Sequence, residues 1–361
     1  MPQRLPSRRR SLGGGVLLAS AAGAFLGFAG LAAAQDAGPR VVASIKPVHA
    51  LTAQVMDGVG TPTLLVDGAA SPHAFSLRPS QAEALQSADA VFWVGPALEP
   101  FMVDAAQTLA ADARLDALIE AAGVETLTFR TDPAFEPHSH GADDTHGHAD
   151  DHGHADDHGH GHDDAHEGGH DDAHGHAHGH DDHAHGAGGV DGHIWLDPKN
   201  AKAMLSAIAG TLAAVDPANA ARYRANAEAA AAEIDALDAR LAERLAPLRE
   251  RPYIVFHDAY QYFERRYGLS AVGAVTVSPE RAPSAARVQA IRERIAEAGA
   301  VCVFSEPQFE PRIVQVVTEG TDAQTGVLDP LGATLPPGPA LYAALMTDLA
   351  ESAVDCLEPR S

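Results

Sequence analysis

The chain has 361 residues, 45% of them hydrophobic, with 49 Asp and Glu against 25 Lys and Arg and a formal charge of −24. Acid in that excess argues against nucleic acid and anionic membrane surfaces as partners, and favours cations. The N-terminus reads as a secretory signal. Arg4, Arg8, Arg9 and Arg10 form a positive start, Leu12 to Ala33 is apolar and small, and Ala32-Ala33-Ala34 before Gln35 offers a cleavage site, so residues 1–34 are expected to be removed. A transmembrane anchor is the alternative, disfavoured by the Gly and Ala content. The stretch Ser7 to Leu12 loosely matches a twin-arginine signal. Arginine clusters are common in ordinary signals, so Sec export ranks first. No Cys stands near the cleavage site, which argues against a lipid-anchored start. The expected product is soluble and sits in an oxidising compartment.

Setting aside the signal and a His/Asp-rich tract, about 275 residues remain, enough for two domains or one large α/β domain. Short apolar runs at Val41 to Ile45, Thr63 to Val66, Ala90 to Val94 and Val124 to Phe129 read as strands between helical Ala/Leu stretches. That alternation predicts parallel sheets. Asp197-Pro198 and Asp216-Pro217 each start a helix, a cap followed by proline in the first turn. From Ala218 to about Leu245, Tyr223, Ile234, Leu237, Leu241 and Leu245 recur at helical spacing with no Gly or Pro between, which predicts one long helix able to cross between lobes. Strands follow at Tyr253 to Phe256, Ser270 to Val277, Ala300 to Phe304 and Gly326 to Leu328. Helices are expected at Gln261 to Tyr267, Ser284 to Ala298 closed by Gly299, Pro311 to Glu319 and Leu341 to Leu357. The organisation predicted is a first α/β lobe over 35–215, a linking helix over 216–247 and a second α/β lobe over 248–361.

Between His138 and His185 lie seventeen histidines in forty-eight residues, with twelve Asp, Glu167 and no Lys or Arg. Such a composition cannot build a core, and it is rich in ligands for borderline metals such as zinc. The run His148-Ala149-Asp150-Asp151-His152-Gly153-His154 recurs as His154-Ala155-Asp156-Asp157-His158-Gly159-His160. We expect residues 138–189 to be a disordered insertion in the first lobe with several interchangeable weak sites, a solvated spacer being the alternative.

Four histidines lie outside the tract: His49, His73, His193 and His257. His73 sits in a loop between a strand and a helix, His193 in a loop just after the tract, and His257 at the C-terminal end of a strand, where α/β sheets place ligands. Alone, each would more often be structural. Three at loop positions in a chain of this composition point to a metal site. His49 follows Pro47-Val48 at a helix start and reads as a cap or packing residue. Cys302 and Cys356, an even pair in an exported protein, suggest one disulfide, with two buried free thiols as the alternative.

Six motifs in chain order carry a resemblance. They are Ala43-Ser44-Ile45-Lys46-Pro47, Ser71-Pro72-His73-Ala74-Phe75-Ser76-Leu77-Arg78-Pro79-Ser80, His193-Ile194-Trp195-Leu196-Asp197-Pro198, Phe256-His257-Asp258-Ala259-Tyr260, Ser305-Glu306-Pro307-Gln308-Phe309 and Leu328-Asp329-Pro330-Leu331-Gly332. Over about residues 40–361 the chain resembles the substrate-binding proteins of bacterial zinc ABC transporters, the cluster A-I metal-binding group and its ZnuA type. The resemblance implies two α/β lobes, each with a four-stranded parallel sheet, joined by one long rigid helix. It implies Zn²⁺ as transported ligand, held by His73 and His193 from the first lobe and His257 from the second, and the disulfide Cys302–Cys356. Some relatives carry Glu just before the first histidine. Here that residue is Pro72, so the fourth ligand is expected to be Asp329, which matches the carboxylate used by other members of the group, with a water as the alternative. Manganese and iron members generally place Glu at the position of His257, and a third imidazole there suits zinc.

The implied setting is the periplasm. The partners are an ABC permease and its ATPase subunit, with a periplasmic zinc chaperone as a further candidate; a monomer is expected. The competing readings are a zinc hydrolase with a His₃–water site and a metal-dependent adhesin. The hydrolase lacks an H-E-x-x-H motif and an obvious general base, Glu264 reading as a solvated helix residue. The adhesin lacks a lipid-anchor cysteine.

Overall fold

The computed structural model describes residues 38–135, 189–276, 279–280 and 282–358. The expected signal peptide and residues 138–188 of the His/Asp tract lie outside them. Two sheets organise the described chain. The first contains β1 (Val41–Ile45), β2 (Thr63–Val66), β3 (Ala90–Trp93) and β4 (Arg114–Ala117) in the order β2-β1-β3-β4, every pair parallel. The second contains β5 (Tyr253–Val255), β6 (Ala271–Ala274), β7 (Cys302–Ser305) and β8 (Gln324–Val327) in the matching order β6-β5-β7-β8, again parallel. Every residue of β1 and β3 is buried, because a parallel sheet is covered on both faces. The α/β class and the paired four-stranded sheets agree with the sequence.

The edge strands account for the main differences. Residues 124–129 form no sheet strand. They run between the lobes, and Thr128 pairs with Val190 in an isolated antiparallel bridge, with Phe129 N–H donating to Gly189 O (3.0 Å) and Asp191 N–H to Leu127 O (2.8 Å). The fourth strand is instead β4, whose Arg114-Leu115-Asp116-Ala117 is only partly covered and carries no apolar run. β8 is likewise a half-exposed edge, and it begins two residues before the apolar triplet that suggested it.

The first lobe's helices are α1 (Lys46–Val55), α2 (Pro79–Gln86), α3 (Pro100–Leu109) and α4 (Pro198–Val215). α4 is capped by Asp197, whose carboxylate accepts Lys199 N–H at 2.8 Å. A 3-10 turn at Pro217–Asn219 leads into α5 (Ala220–Leu245), about 39 Å long at 1.5 Å per residue. α5 buries Tyr223, Ala227, Ala230, Ile234, Leu237, Leu241 and Leu245 along one stripe. The second lobe adds α6 (Gln261–Tyr267), α7 (Ala285–Ala298), α8 (Arg312–Thr318) and α9 (Leu341–Leu357). Gly299 ends α7 at φ 62°, a left-handed position that favours glycine.

α5 packs on α1 and α4 of the first lobe and on α6 and α9 of the second. One hydrophobic core therefore runs from the first sheet through these helices into the second, and a smaller cluster around Ile254, Ile291, Val303 and Val317 fills the far face of the second sheet. Polar ties reinforce the junction: Trp195 Nε1–H donates to Pro330 O (2.8 Å) and Tyr342 O–H to Trp195 O (3.0 Å). The Cys302–Cys356 disulfide joins β7 to α9. Among the described residues no helix is long and apolar enough to cross a membrane.

Candidate metal centre

The three loop histidines meet where the lobes face each other. His73 lies in a 3-10 turn, Pro72–Ala74, after β2, and Ser71 Oγ accepts its N–H at 3.3 Å. His193 immediately precedes a second 3-10 turn, Ile194–Leu196. Gly192 before it passes so close to Leu98 that an added Cβ would lie 2.8 Å from the Leu98 Cβ. His257 follows β5 by two residues. The ring centroids are 5.2–5.7 Å apart, and one ligand nitrogen from each ring lies within 4.8 Å of the other two. The pocket is lined by these rings with Ser71, Glu306, Phe309 and Leu331 among others.

Two buried carboxylates orient the rings. Asp191 Oδ1 lies 2.7 Å from His193 Nδ1 and also accepts His193 N–H at 2.9 Å. Glu306 Oε1 lies 2.8 Å from His257 Nδ1 and accepts the Tyr260 hydroxyl at 3.1 Å. A carboxylate accepting from Nδ1–H leaves Nε2 as the bare lone pair. The two Nε2 atoms so fixed, those of His193 and His257, face each other at 3.4 Å. Two lone pairs at that range repel unless a proton or a metal cation lies between them. Tetrahedral zinc, with nitrogen at 2.0–2.1 Å, spaces its ligands by about 3.3 Å. Burial pushes the Asp191 carboxyl up to about 7, against the His193 N–H and the nearby cations. Burial also works against charge on His257, but the Glu306 carboxylate outweighs it and the net direction is up.

Asp329 is not brought into the group of three. Its Oδ1 accepts Gln308 Nε2–H (2.9 Å), Leu331 N–H (3.1 Å) and Gly332 N–H (3.0 Å), and its Oδ2 accepts Ala333 N–H (2.6 Å). His49 stands apart within α1, buried, with Nε2 3.1 Å from Pro62 O, which is the packing role expected of it. Glu264 corrects its sequence reading. It is buried, not solvated, and takes Arg130 Nη1 at 2.8 Å and the Tyr253 hydroxyl at 3.1 Å.

Asp191 and Glu306 are the residues that sequence reasoning passed over. Glu306 stands within one of the six motifs and Asp191 just ahead of another, neither with a role assigned. Asp191, two residues before His193, carried a local signal; Glu306, 49 residues from His257, carried none.

Two parallel-sheet lobes sharing a three-histidine pocket that could hold a metal ion, with histidines from both sides, point to a metal-binding protein of the substrate-binding class. The family described as zinc-uptake complex component A, periplasmic, matches residues 41–356, and the chain belongs to it. That family serves transport and is not one of enzymes, so the hydrolase reading falls. The chain is 51% identical over 338 residues to the high-affinity zinc uptake system protein ZnuA of Brucella abortus (strain 2308), covering 93% of this chain and 97% of that protein. It is 43% identical to the protein of the same description from Paracoccus denitrificans (strain Pd 1222), covering 92% and 96%. Among solved structures it is similar to a zinc-bound ZnuA with residues 138–173 deleted, with TM-score 0.67, 22% identity and coverage of 90% of this chain and all of that one.

Proposed function

We propose that this protein is a high-affinity periplasmic carrier that captures Zn²⁺ on His73, His193 and His257 between its lobes and delivers it to an ABC permease, whose ATPase subunit drives import. One observation carries the reading: two Nε2 lone pairs, each fixed by a buried carboxylate on the opposite nitrogen, held 3.4 Å apart across the lobes. The donor set is three neutral imidazoles, which suits zinc over hard cations. The fourth position falls to a water rather than to Asp329, whose two oxygens are taken by its own loop and Gln308. Glu306 lines the same pocket, and its buried Oε2 has no hydrogen-bond partner among the described residues, so it can accept from that water.

Ligands from both lobes make zinc a staple across the junction. The long helix and the shared core favour small loop and lobe shifts over wide hinge closure. In this reading residues 1–34 direct Sec export and the His/Asp tract is an accessory collector that raises local zinc. The carrier acts as a monomer, and a periplasmic zinc chaperone is a further partner.

The test is a competition titration of mature protein lacking residues 138–185. Retained tight one-to-one Zn²⁺ binding supports the cleft, whereas loss of that binding with the tract sinks the assignment. Equal zinc uptake by cells with and without the tract, under chelator stress, would refute the collector role.

A further inference from the structure

Beneath the metal centre the lobes meet along a polar seam. The second lobe contributes residues 257–264, the turn after β5 and the start of α6. The first contributes 127–130 and 189–193, the two segments bridged at Thr128 and Val190. Arg130 is gripped by Asp258 and by Glu264. The Tyr262 hydroxyl accepts Leu127 N–H (2.9 Å) and donates to Asp191 O (2.7 Å). Gln261 Nε2–H donates to Asp191 Oδ2 at 3.2 Å.

Asp191 links the polar ties of this seam to the site. Its Oδ1 holds the backbone N–H and the Nδ1 of His193; its Oδ2 is held by Gln261. One buried carboxylate thus ties the ring of a first-lobe histidine to the helix that follows the second-lobe histidine, His257. We propose that Asp191 and Gln261 form a cross-lobe positioning pair, which makes the orientation of His193, and so the retention of metal, conditional on the lobes being docked. The inference rests on the reading of the three histidines as the zinc site and names how that site is regulated.

The physical argument is one of shared motion. If the second lobe shifts away, Gln261 leaves the Asp191 side chain and Tyr262 leaves its carbonyl in the same step that withdraws His257. The 191–193 loop then loses two of its ties while the metal loses a ligand. Binding and docking are linked, so the dependence is reciprocal: metal favours the closed seam by the same factor that the seam favours metal. A partner that pries the lobes apart would thereby lower the affinity for metal without touching a ligand.

Gln261→Ala tests the pair. Gln261 opens α6 and is half-buried, so its truncation spares the core. In protein lacking residues 138–185, wild type is expected to bind one Zn²⁺. The variant is expected to bind about tenfold more weakly, the low end for loss of an outer-shell partner, with faster release into a chelator. With Co²⁺ as probe, the d–d absorption should weaken as the His193 ring loses its fixed direction. Asp191→Asn should cost more, and the double variant no more than Asp191→Asn alone, because both act through one link. An unchanged release rate and Co²⁺ spectrum in Gln261→Ala overturns the proposal, as do effects that multiply in the double variant. A lowered Tm without a spectral change assigns a structural role only and overturns it too. A wild-type protein without a one-to-one site overturns the zinc reading itself, and this pair with it.

Discussion

Lys46 and Asp329 divide the backbone of one loop between them. From the first lobe, the buried Lys46 Nζ donates to the carbonyls of Gly332 (3.2 Å), Ala333 (2.8 Å) and Leu335 (2.9 Å). From within the loop, the Asp329 carboxylate accepts the N–H groups of Leu331, Gly332 and Ala333. Pro330 and Leu331 of that loop line the metal pocket. Lys46 in the first motif of the chain and Asp329 near its end thus shape one wall of the pocket from opposite lobes.

Asp329→Ala separates a ligand from a scaffold. Removing the carboxylate leaves three N–H groups and the Gln308 amide without their acceptor, and the metal-free protein should lose on the order of 2 kcal/mol. Zinc affinity should fall by less than about tenfold, below the roughly 10–100-fold loss expected for a partner that orients a ligand, since Asp329 is engaged by its own loop and Gln308. Urea unfolding with chelator present, beside competition titration, checks both. Unchanged metal-free stability with a collapse of zinc affinity would make Asp329 a ligand.

Lys46→Met should loosen the same loop from the other side. One buried and two partly buried carbonyls lose a charged donor, and the cost should be on the order of 3 kcal/mol. The Asp67 contact at 3.3 Å adds little, because that carboxylate is mostly exposed. Denaturant midpoints of wild type and variant measure it.

His73→Ala and His257→Ala remove one proposed ligand from each lobe. Zinc binds only the folded state, so at about 1,000 times Kd it should stabilise wild type by about 4 kcal/mol. Either variant should show a much smaller zinc-induced rise in Tm, while its metal-free Tm stays within a few degrees of wild type. Differential scanning calorimetry with and without Zn²⁺ reads both.

Glu99 predicts a pH dependence away from the metal. It is fully buried at the start of α3, accepting Val94 N–H (2.6 Å) and Gly95 N–H (3.2 Å), and burial pushes it from the ordinary 4.5 up to about 7. Below about pH 4.5 both folded and unfolded chains carry this proton. Between 4.5 and 7 only the folded chain keeps it, so this group's contribution falls as pH rises, and above 7 the full penalty applies, on the order of 3 kcal/mol. Glu99→Gln should therefore be more stable than wild type at pH 8 and lose that advantage at pH 4. Urea midpoints of the metal-free proteins at both values test it.

Reduction of Cys302–Cys356 releases a loop spanning 54 residues. Chain entropy puts the loss near 4 kcal/mol. Cys302→Ser with Cys356→Ser should lower the denaturant midpoint accordingly, and reductant should then have no further effect.

Local chemistry decided much of this protein from the sequence alone. The buried strands β3 and β5 are continuous apolar runs, and β1 is one but for Ser44; the α4 cap is Asp197 before Pro198; the α7 stop is Gly299. Three scarce histidines in short loops marked the candidate site, and the sequence motifs around them marked the family. Each of these signals sits within a few residues of its consequence.

The rest depended on contacts between distant parts of the chain. β4 and β8 are edges with one neighbour, so their sequences need not be apolar, and β4 hides behind Arg114 and Asp116. Glu264 reads as surface until Arg130, 134 residues earlier, folds against it. Glu306 becomes the orienting partner of His257 only when β7 lies beside β5. Asp329 could be placed as a ligand by motif, but its loop's own N–H groups compete for the carboxylate. A side chain's partners are set by which atoms reach it in space, and no sequence spacing encodes that for groups this far apart.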